Sequence, residues 1–201
     1  MPLFQTKYQN LTDEKLMTRI QRSDIAAFDE LYTRYSKRML YYFHRMLEGN
    51  EEKAQDFLQD LFLKIVEKPA HFKGGNRFVS WLYTVAHNMC KNEYRKQSVR
   101  SIVVNDPDID MHCTFTPDDH PIERHVDEQD FQQALMHELD KLNVNQRTTF
   151  LLRHQENRSL REISEIMNCS EGTTKSRLHH VTRKLAQKLQ TRNPYVVKRS
   201  L

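Results

Sequence analysis

Between Ser159 and Leu189 the chain carries two short apolar stripes of helical period, separated by residues that break both. Leu160, Ile163 and Met167 fall on one side of a first helix. Asn168, Cys169 and Ser170 interrupt the pattern. Ser170 is a good N-cap, and Gly172, Thr173 and Thr174 open a second helix. There Leu178, Val181, Leu185 and Leu189 mark the buried side, leaving Lys175, Arg177, His179, His180 and Arg183 mostly outside. Little but a helix–turn–helix satisfies this spacing. Its second helix opens with Thr, Lys, Ser and Arg, which suits the major groove of DNA. A polar outer face is often merely solvated, but the run Gly172-Thr173-Thr174-Lys175-Ser176-Arg177 gathers small donors and cations within one and a half turns.

The other segments point to helices as well. Only 4 Gly and 6 Pro occur in 201 residues, and alternating β-branched runs are scarce, which predicts an all-α chain. Thr12 is placed to cap a first helix, with Asp13 and Glu14 in its first turn. Phe28, Leu31, Tyr35, Met39, Tyr42 and Met46 recur every three or four residues, and Glu48-Gly49-Asn50 ends that helix. A third helix is expected over 51–67, with Phe57, Leu58, Leu61 and Ile65 inward. Pro69 and the loop 71–76 break it. A fourth is expected over 78–97, with Trp81, Leu82, Val85 and Met89 inward. Residues 99–126 carry turn signals around Pro107, Pro117 and Pro121 without helical period, as a flexible acidic linker would. A C-terminal unit starts near Val126, with Phe131, Leu135, Leu139 and Leu142 on its first helix and Asn145 starting the next. The tail from Thr191 is expected to fray. The expected organisation is thus a helical domain over 11–98, a linker over 99–126 and a helical domain over 127–190.

Charge follows the same division. Residues 1–98 carry 16 Lys and Arg against 12 Asp and Glu. Residues 99–130 carry 2 against 9, and residues 131–201 carry 13 against 6. Two basic blocks around an acidic strip fit two nucleic-acid-facing domains and a linker. The apolar runs are too short to span a bilayer, and the N-terminus lacks the pattern of a signal peptide. Cys90, Cys113 and Cys169 stand at unrelated spacings, as reduced thiols of a cytoplasmic protein would. His112, Cys113, His120 and His125 lack the paired spacing of a metal site, and no nucleophile triad or Gly-rich phosphate loop occurs. No cofactor, metal, small-molecule substrate or catalytic residue is expected.

Three segments, in order, carry a family resemblance. Asp56-Phe57-Leu58-Gln59-Asp60-Leu61-Phe62-Leu63-Lys64-Ile65 is similar to a D-x-x-Q-[DE]-x-F-L-x-[VIL] helix. Phe78-Val79-Ser80-Trp81-Leu82-Tyr83-Thr84-Val85-Ala86-His87-Asn88 is similar to an F-x-x-W-L-x-x-[IV]-A-x-N helix that continues to Tyr94-Arg95-Lys96. The segments from Thr149 to Arg153, Leu160 to Ile166 and Gly172 to His179 form a third match. Together they resemble regions 2 and 4 of the extracytoplasmic-function (ECF) sigma factors of bacterial RNA polymerase, over about Leu11 to Leu189. Asn92 (often Asp in that family), His87 (often Arg) and Cys169 (usually aliphatic) depart from its pattern, which bears on promoter preference.

The resemblance implies a subunit, not an enzyme, that binds core polymerase and directs it to promoters. Asp56, Gln59, Asp60 and Leu63 would meet the coiled-coil clamp of the β′ subunit, an acidic, partly apolar ridge against Arg-rich helices. The β subunit is a further implied contact. Phe62 belongs either to this ridge or to the core. Lys73, Asn76, Arg77, Asn88, Lys91, Asn92, Arg95 and Lys96 would take the −10 element, holding phosphates and capturing unstacked bases. Trp81 is expected in the core rather than as a stacking platform. Thr173, Thr174, Lys175, Ser176 and Arg177 would read the −35 element, with His180 and Arg183 near its backbone. Promoter DNA, core polymerase and an anti-sigma factor are the implied partners, without membrane insertion. The alternatives are a sigma-like adaptor that titrates an anti-sigma factor, which basic Lys73, Arg95, Lys96, Lys175 and Arg177 argue against, and a one-component helix–turn–helix regulator, which leaves the N-terminal motifs unexplained.

Overall fold

A computed structural model describes residues 8–73, 77–103 and 125–190, with the backbone alone for 100–103 and 125–129. The chain is all-α. Its helices are α1 (Asp13–Ile20), α2 (Ile25–Met46), α3 (Glu51–Glu67), α4 (Phe78–Val103), α5 (His125–Asp140), α6 (Val144–His154), α7 (Leu160–Met167) and α8 (Glu171–Leu189), with a 3₁₀ turn at Pro69–His71.

Polar N-caps set most of the helix starts. Thr12, Asp24, Asn50, Asn143, Ser159 and Ser170 each hold extended backbone and accept a hydrogen bond from the amide three residues on. Each satisfies a donor that the first turn would otherwise leave unpaired. Between α2 and α3 the backbone reverses through Glu48 at φ 58° and Gly49 at φ 76°, which is why glycine suits that turn.

The N-terminal unit packs α1 and α3 against the long α2 and closes with α4. Its core holds Leu16, Met17, Leu31, Met39, Phe43, Leu61, Ile65, Phe78 and Leu82. Phe62 belongs to this core, 3% exposed and edge-on to Phe28 at 6.0 Å. Trp81 is half-buried, edge-on to Phe72 at 5.6 Å. The C-terminal unit gathers α5 to α8 around Leu139, Leu142, Leu151, Leu152, Ile163, Ile166, Val181, Leu185 and Leu189. Leu178, Leu160 and Met167, expected inward, are half-buried, and Ile166 takes the inner position that the stripe through Met167 overlooked.

Helix α4 runs to Val103, past the expected end at Gln97, because nothing between Lys96 and Val103 breaks a helix. Asn143, not Asn145, opens α6. Residues 104–124, the bulk of the expected acidic linker with His112, Cys113 and His120, lie outside the described residues, as do Asn76 and the tail from Thr191.

The two units are not held apart. α4 packs on α6 and α7, and α2 packs on α6. The buried imidazole of His87 on α4 stands 3.0 Å from the Thr148 hydroxyl on α6. Arg38 on α2 reaches Glu156, in the turn after α6, at 2.6 Å.

Candidate nucleic-acid interface

Helix α4 presents one side to its own core and another to solvent. Phe78, Leu82, Tyr83, Ala86 and Cys90 are buried. Asn88, Lys91, Asn92, Arg95 and Lys96 are exposed, spaced 0, 3, 4, 7 and 8 along the helix, so they form one stripe. Glu14 of α1 accepts from the Phe78 amide at 3.1 Å and anchors the start of α4. Lys53 of α3 pairs with Glu93 at 2.6 Å, and the Tyr94 hydroxyl donates to the Met46 carbonyl at 2.7 Å. The stripe therefore stands on a helix held from three sides. Lys73 and Arg77 are exposed at its foot. Arg77 also pairs with Glu162 of α7 at 3.4 Å.

His87 lies between the stripe and the second unit, 4% exposed. Burial lowers its pKa to about 4, and the Lys91 and Arg177 cations push the same way. It is a neutral imidazole at ordinary pH. A residue often cationic in the resembled family is here an uncharged interior side chain.

The helix–turn–helix owes its shape to three caps. Ser159 and Glu162 form a capping box at the start of α7. Asn168 then adopts the left-handed conformation at φ 49°, and the Cys169 amide bonds back to the Ser164 carbonyl at 3.0 Å. Ser170 caps α8, accepting from the Thr173 amide at 3.0 Å. Thr173, Lys175, Ser176, His180 and Arg183 are exposed on α8. Thr173, Ser176, His180 and Arg183 recur at helical spacing opposite the buried Val181 and Leu185, with Lys175 beside them.

Thr174 is a correction. It is fully buried, its hydroxyl 3.3 Å from both the Ser170 carbonyl and the Cys169 sulfur. It shares a face with Val181 and Leu185 and braces the turn, away from the exposed stripe. Arg177 is half-buried, with its guanidinium 3.9 Å from the Met167 sulfur.

On α3 the two sides divide as sharply. Ala54, Leu58, Leu61, Phe62 and Ile65 face inward. Asp56, Gln59, Asp60 and Leu63 are all exposed on the outer ridge. The ridge has an apolar neighbourhood that sequence reasoning missed: Leu63 is 52% exposed, Val66 49%, Ile25 75% and Tyr32 43%. Tyr32 rests on Phe62 at 4.8 Å between ring centres. Large apolar side chains left in water beside carboxylates are what a protein-docking surface looks like. The contacts between the units, Arg38 to Glu156 and Arg147 to the Met46 carbonyl at 3.1 Å, were equally invisible, since each residue reads in sequence as a solvated charge on a helix.

Among the described residues no group of His, Cys, Asp or Glu is placed to hold a metal, and no helix is long and apolar enough to cross a membrane.

Residues 31–100 match the family model for sigma-70 region 2, and residues 132–185 match that for sigma-70 region 4. The chain is 29% identical to the RNA polymerase sigma-H factor of Pseudomonas aeruginosa, over 89% of this chain and 94% of that protein. It is 28% identical to the ECF RNA polymerase sigma-E factor of Haemophilus influenzae, over 90% and 97%. Two solved structures share its fold. One is the sigma factor RpoE in complex with the anti-sigma factor NepR from Bartonella quintana, with a TM-score of 0.63 and 21% identity over 81% of this chain and 96% of that one. The other is CnrH in complex with the cytosolic domain of CnrY, with a TM-score of 0.64 and 18% identity over 89% and 97%.

Proposed function

The chain belongs to the ECF sigma factors of bacterial RNA polymerase, and from that premise we propose how its exposed faces divide the work. A sigma factor binds core polymerase and directs it to promoters. It is a transcription initiation factor, and its chemistry is recognition.

The outer ridge of α3, Asp56, Gln59, Asp60 and Leu63, docks on the β′ clamp. The apolar fringe of Ile25, Tyr32 and Val66 widens that contact, and the β subunit is met elsewhere on the chain. The α4 stripe of Asn88, Lys91, Asn92, Arg95 and Lys96, with Lys73 and Arg77 at its foot and Asn76 next to Arg77 in sequence, takes the −10 element. Cations grip its phosphates, and the amides are free to read bases of the opened strand. On α8, Thr173, Lys175, Ser176 and Arg177 read the −35 element from the start of a helix, where the dipole favours phosphate. His180 and Arg183 lie along the backbone. The observation that carries this division is that both basic stripes are exposed on helices whose opposite sides are core. An anti-sigma partner and a cytoplasmic site of action complete the reading. The first is supported by likeness to proteins solved in complex with such partners, the second by the absence of a membrane-crossing helix among the described residues.

Transcription with purified core polymerase on pooled promoter fragments tests this. Defined start sites are expected only when the protein is present, and their alignment reveals both elements. Leu63→Glu is expected to weaken core binding by about tenfold or more, measured by titration of labelled protein, with no change in thermal unfolding because the side chain is half in water. Unchanged binding would move the docking surface off α3.

A further inference from the structure

We propose that α1 is the positioning element of the −10 reader: Gln21 and Glu14, at its two ends, fix the peptide bond that leads into Lys73 and the one that leads out of Arg77, so that both cations are held in place before DNA arrives. The inference rests on the promoter reading above. It adds two residues that act through Lys73 and Arg77 rather than on DNA themselves.

Gln21 is the C-cap of α1, and its backbone amide turns back to the Met17 carbonyl. That leaves its side chain free to reach across. Nε2 carries two N–H groups, and it donates to the Pro69 carbonyl at 3.1 Å and to the Phe72 carbonyl at 3.3 Å. The Phe72 carbonyl is half of the peptide bond to Lys73. Near the start of α1, the Glu14 carboxylate accepts from the Phe78 amide at 3.1 Å, and that amide is half of the peptide bond from Arg77. Phe78 opens α4. The first amides of a helix need an acceptor from outside it. Arg77, which stands before them, has no side-chain acceptor, so Glu14 supplies one from another helix. Burial alone would raise the Glu14 pKa, but the Phe78 amide and the Arg77 cation are among the groups that hold it below its ordinary value.

The two stems are also tied to each other. The rings of Phe72 and Phe78, both buried, meet edge-on at 5.9 Å, and Trp81 packs on them at 5.6 Å and 5.9 Å. α1 is a firm reference for both because it is held in turn. Arg34 of α2 donates from Nη1 to the Asp13 carboxylate at 2.8 Å and to the Leu11 carbonyl at 2.9 Å. From Nη2 it donates to the Tyr8 and Gln9 carbonyls. Tyr35 donates to Asp13 as well, and Leu16, Met17 and Ile20 are buried. Lys73 and Arg77 themselves are exposed. Ordering a long cationic side chain and its backbone at the moment of binding lowers affinity. Backbone fixed beforehand on the near side of each cation removes part of that loss, as supporting residues do behind any recognition site. Burial does not account for Gln21, which is exposed. Its partners do, since both belong to the stem that enters Lys73.

The test uses holoenzyme made from the full chain and a promoter recovered from the pooled transcription. Gln21→Met keeps the length of the side chain and removes both donors. Glu14→Ala removes the acceptor, and Glu14→Gln restores one. Gln21→Met and Glu14→Ala are each expected to weaken binding to a fragment with an opened −10 element by about threefold or more. Glu14→Gln should stay near the parent, and binding to core polymerase and to a −35 duplex should not change. A role confined to stability would not show the decisive reading, which is coupling. In a chain that already carries Lys73→Ala and Arg77→Ala, the α1 variants should have no further effect on −10 binding. Effects that add to the loss of the two cations overturn the positioning role. So does parent-like −10 binding by Gln21→Met and Glu14→Ala, and either result leaves the promoter reading intact. A parent holoenzyme that initiates at no promoter overturns the promoter reading, and this inference with it. Should Glu14→Ala fail to fold, Gln21→Met decides alone, because its side chain is exposed.

Discussion

Helices α4 and α8 look alike from outside and differ inside. Each carries an exposed stripe of cations and small polar groups at helical spacing. Behind the stripe, α8 packs Thr174, Val181, Leu185 and Leu189 onto α5, α6 and α7 of its own unit. α4 packs Phe78 and Leu82 into its own unit but turns His87 toward α6 of the other. The helix proposed for the −35 element is thus a finished part of its unit. The one proposed for the −10 element is shared, so its surroundings depend on both units. A DNA-binding face can be judged from its exposed residues alone only when its buried side belongs to the same folding unit.

The sharpest way to break the comparison is to remove the buried charge between the units. Arg147→Met keeps the bulk of the side chain but leaves the Met46 and Leu139 carbonyls and Asp140, 3.3 Å from the guanidinium, without their cation. Losing one member of such a set costs about 3–5 kcal/mol, and urea unfolding of the full chain should show it. A loss below about 1 kcal/mol would mean that α6 is held by its apolar contacts and the units associate weakly.

Acid should weaken the contact between α4 and α6. In the folded chain His87 has its pKa lowered to about 4 by burial, helped by Lys91 on its own helix and Arg177 on α8, and it faces the Thr148 hydroxyl of α6. Unfolded, the imidazole returns to about 6.5. A depressed histidine pKa means that the folded form refuses the proton. Its contribution to stability is complete above about pH 6.5 and is lost as pH falls toward 4. Between pH 7.5 and 5.5 stability should fall by roughly 1.4 kcal/mol, read by urea unfolding. His87→Gln should flatten that dependence. A urea midpoint that does not move over this range would mean that His87 stays in water.

Within α8 the comparison narrows to adjacent threonines. Thr174→Val replaces a buried hydroxyl with a methyl of the same shape and should cost about 1 kcal/mol of stability, leaving −35 preference unaltered. Thr173→Val, one residue earlier and exposed, should do the reverse. Binding of the two variants to a set of −35 sequences decides it, and a changed preference in Thr174→Val would return that residue to the reading surface.

The pattern of these cases explains what the amino-acid order revealed. Caps at Thr12 and Ser170 and the apolar stripes of α2 and α3 are local signals, acting over one or two turns, and local signals are legible. Leu63 and Lys91 were named from the family resemblance, and both stand exposed on helices whose other side is core. Thr174 was misjudged because it belongs to a run of small polar residues, and only the register of the helix tells inside from outside. Arg147 and Glu156 were missed because their partners are far off in sequence: Arg38 and Glu156 are 118 residues apart. A buried ion pair looks, one half at a time, like two surface charges.

Arg77 is the finest test, because it belongs to both descriptions. It stands at the foot of the α4 stripe proposed for the −10 element and also pairs with Glu162 across the interface at 3.4 Å. Its side chain is 78% exposed, and exposed pairs contribute at most about 1 kcal/mol. Arg77→Ala should therefore leave unfolding and the radius of gyration of the free chain where they were, and still weaken promoter binding by the holoenzyme. Because the missing contact is to a phosphate, the deficit should shrink as salt rises, with the salt slope of binding falling by about one. If instead Arg77→Ala destabilises the free chain, the contact between the units leans on the exposed edge of α7 as well as on Glu156, and the division between a shared and a finished helix has to be redrawn there.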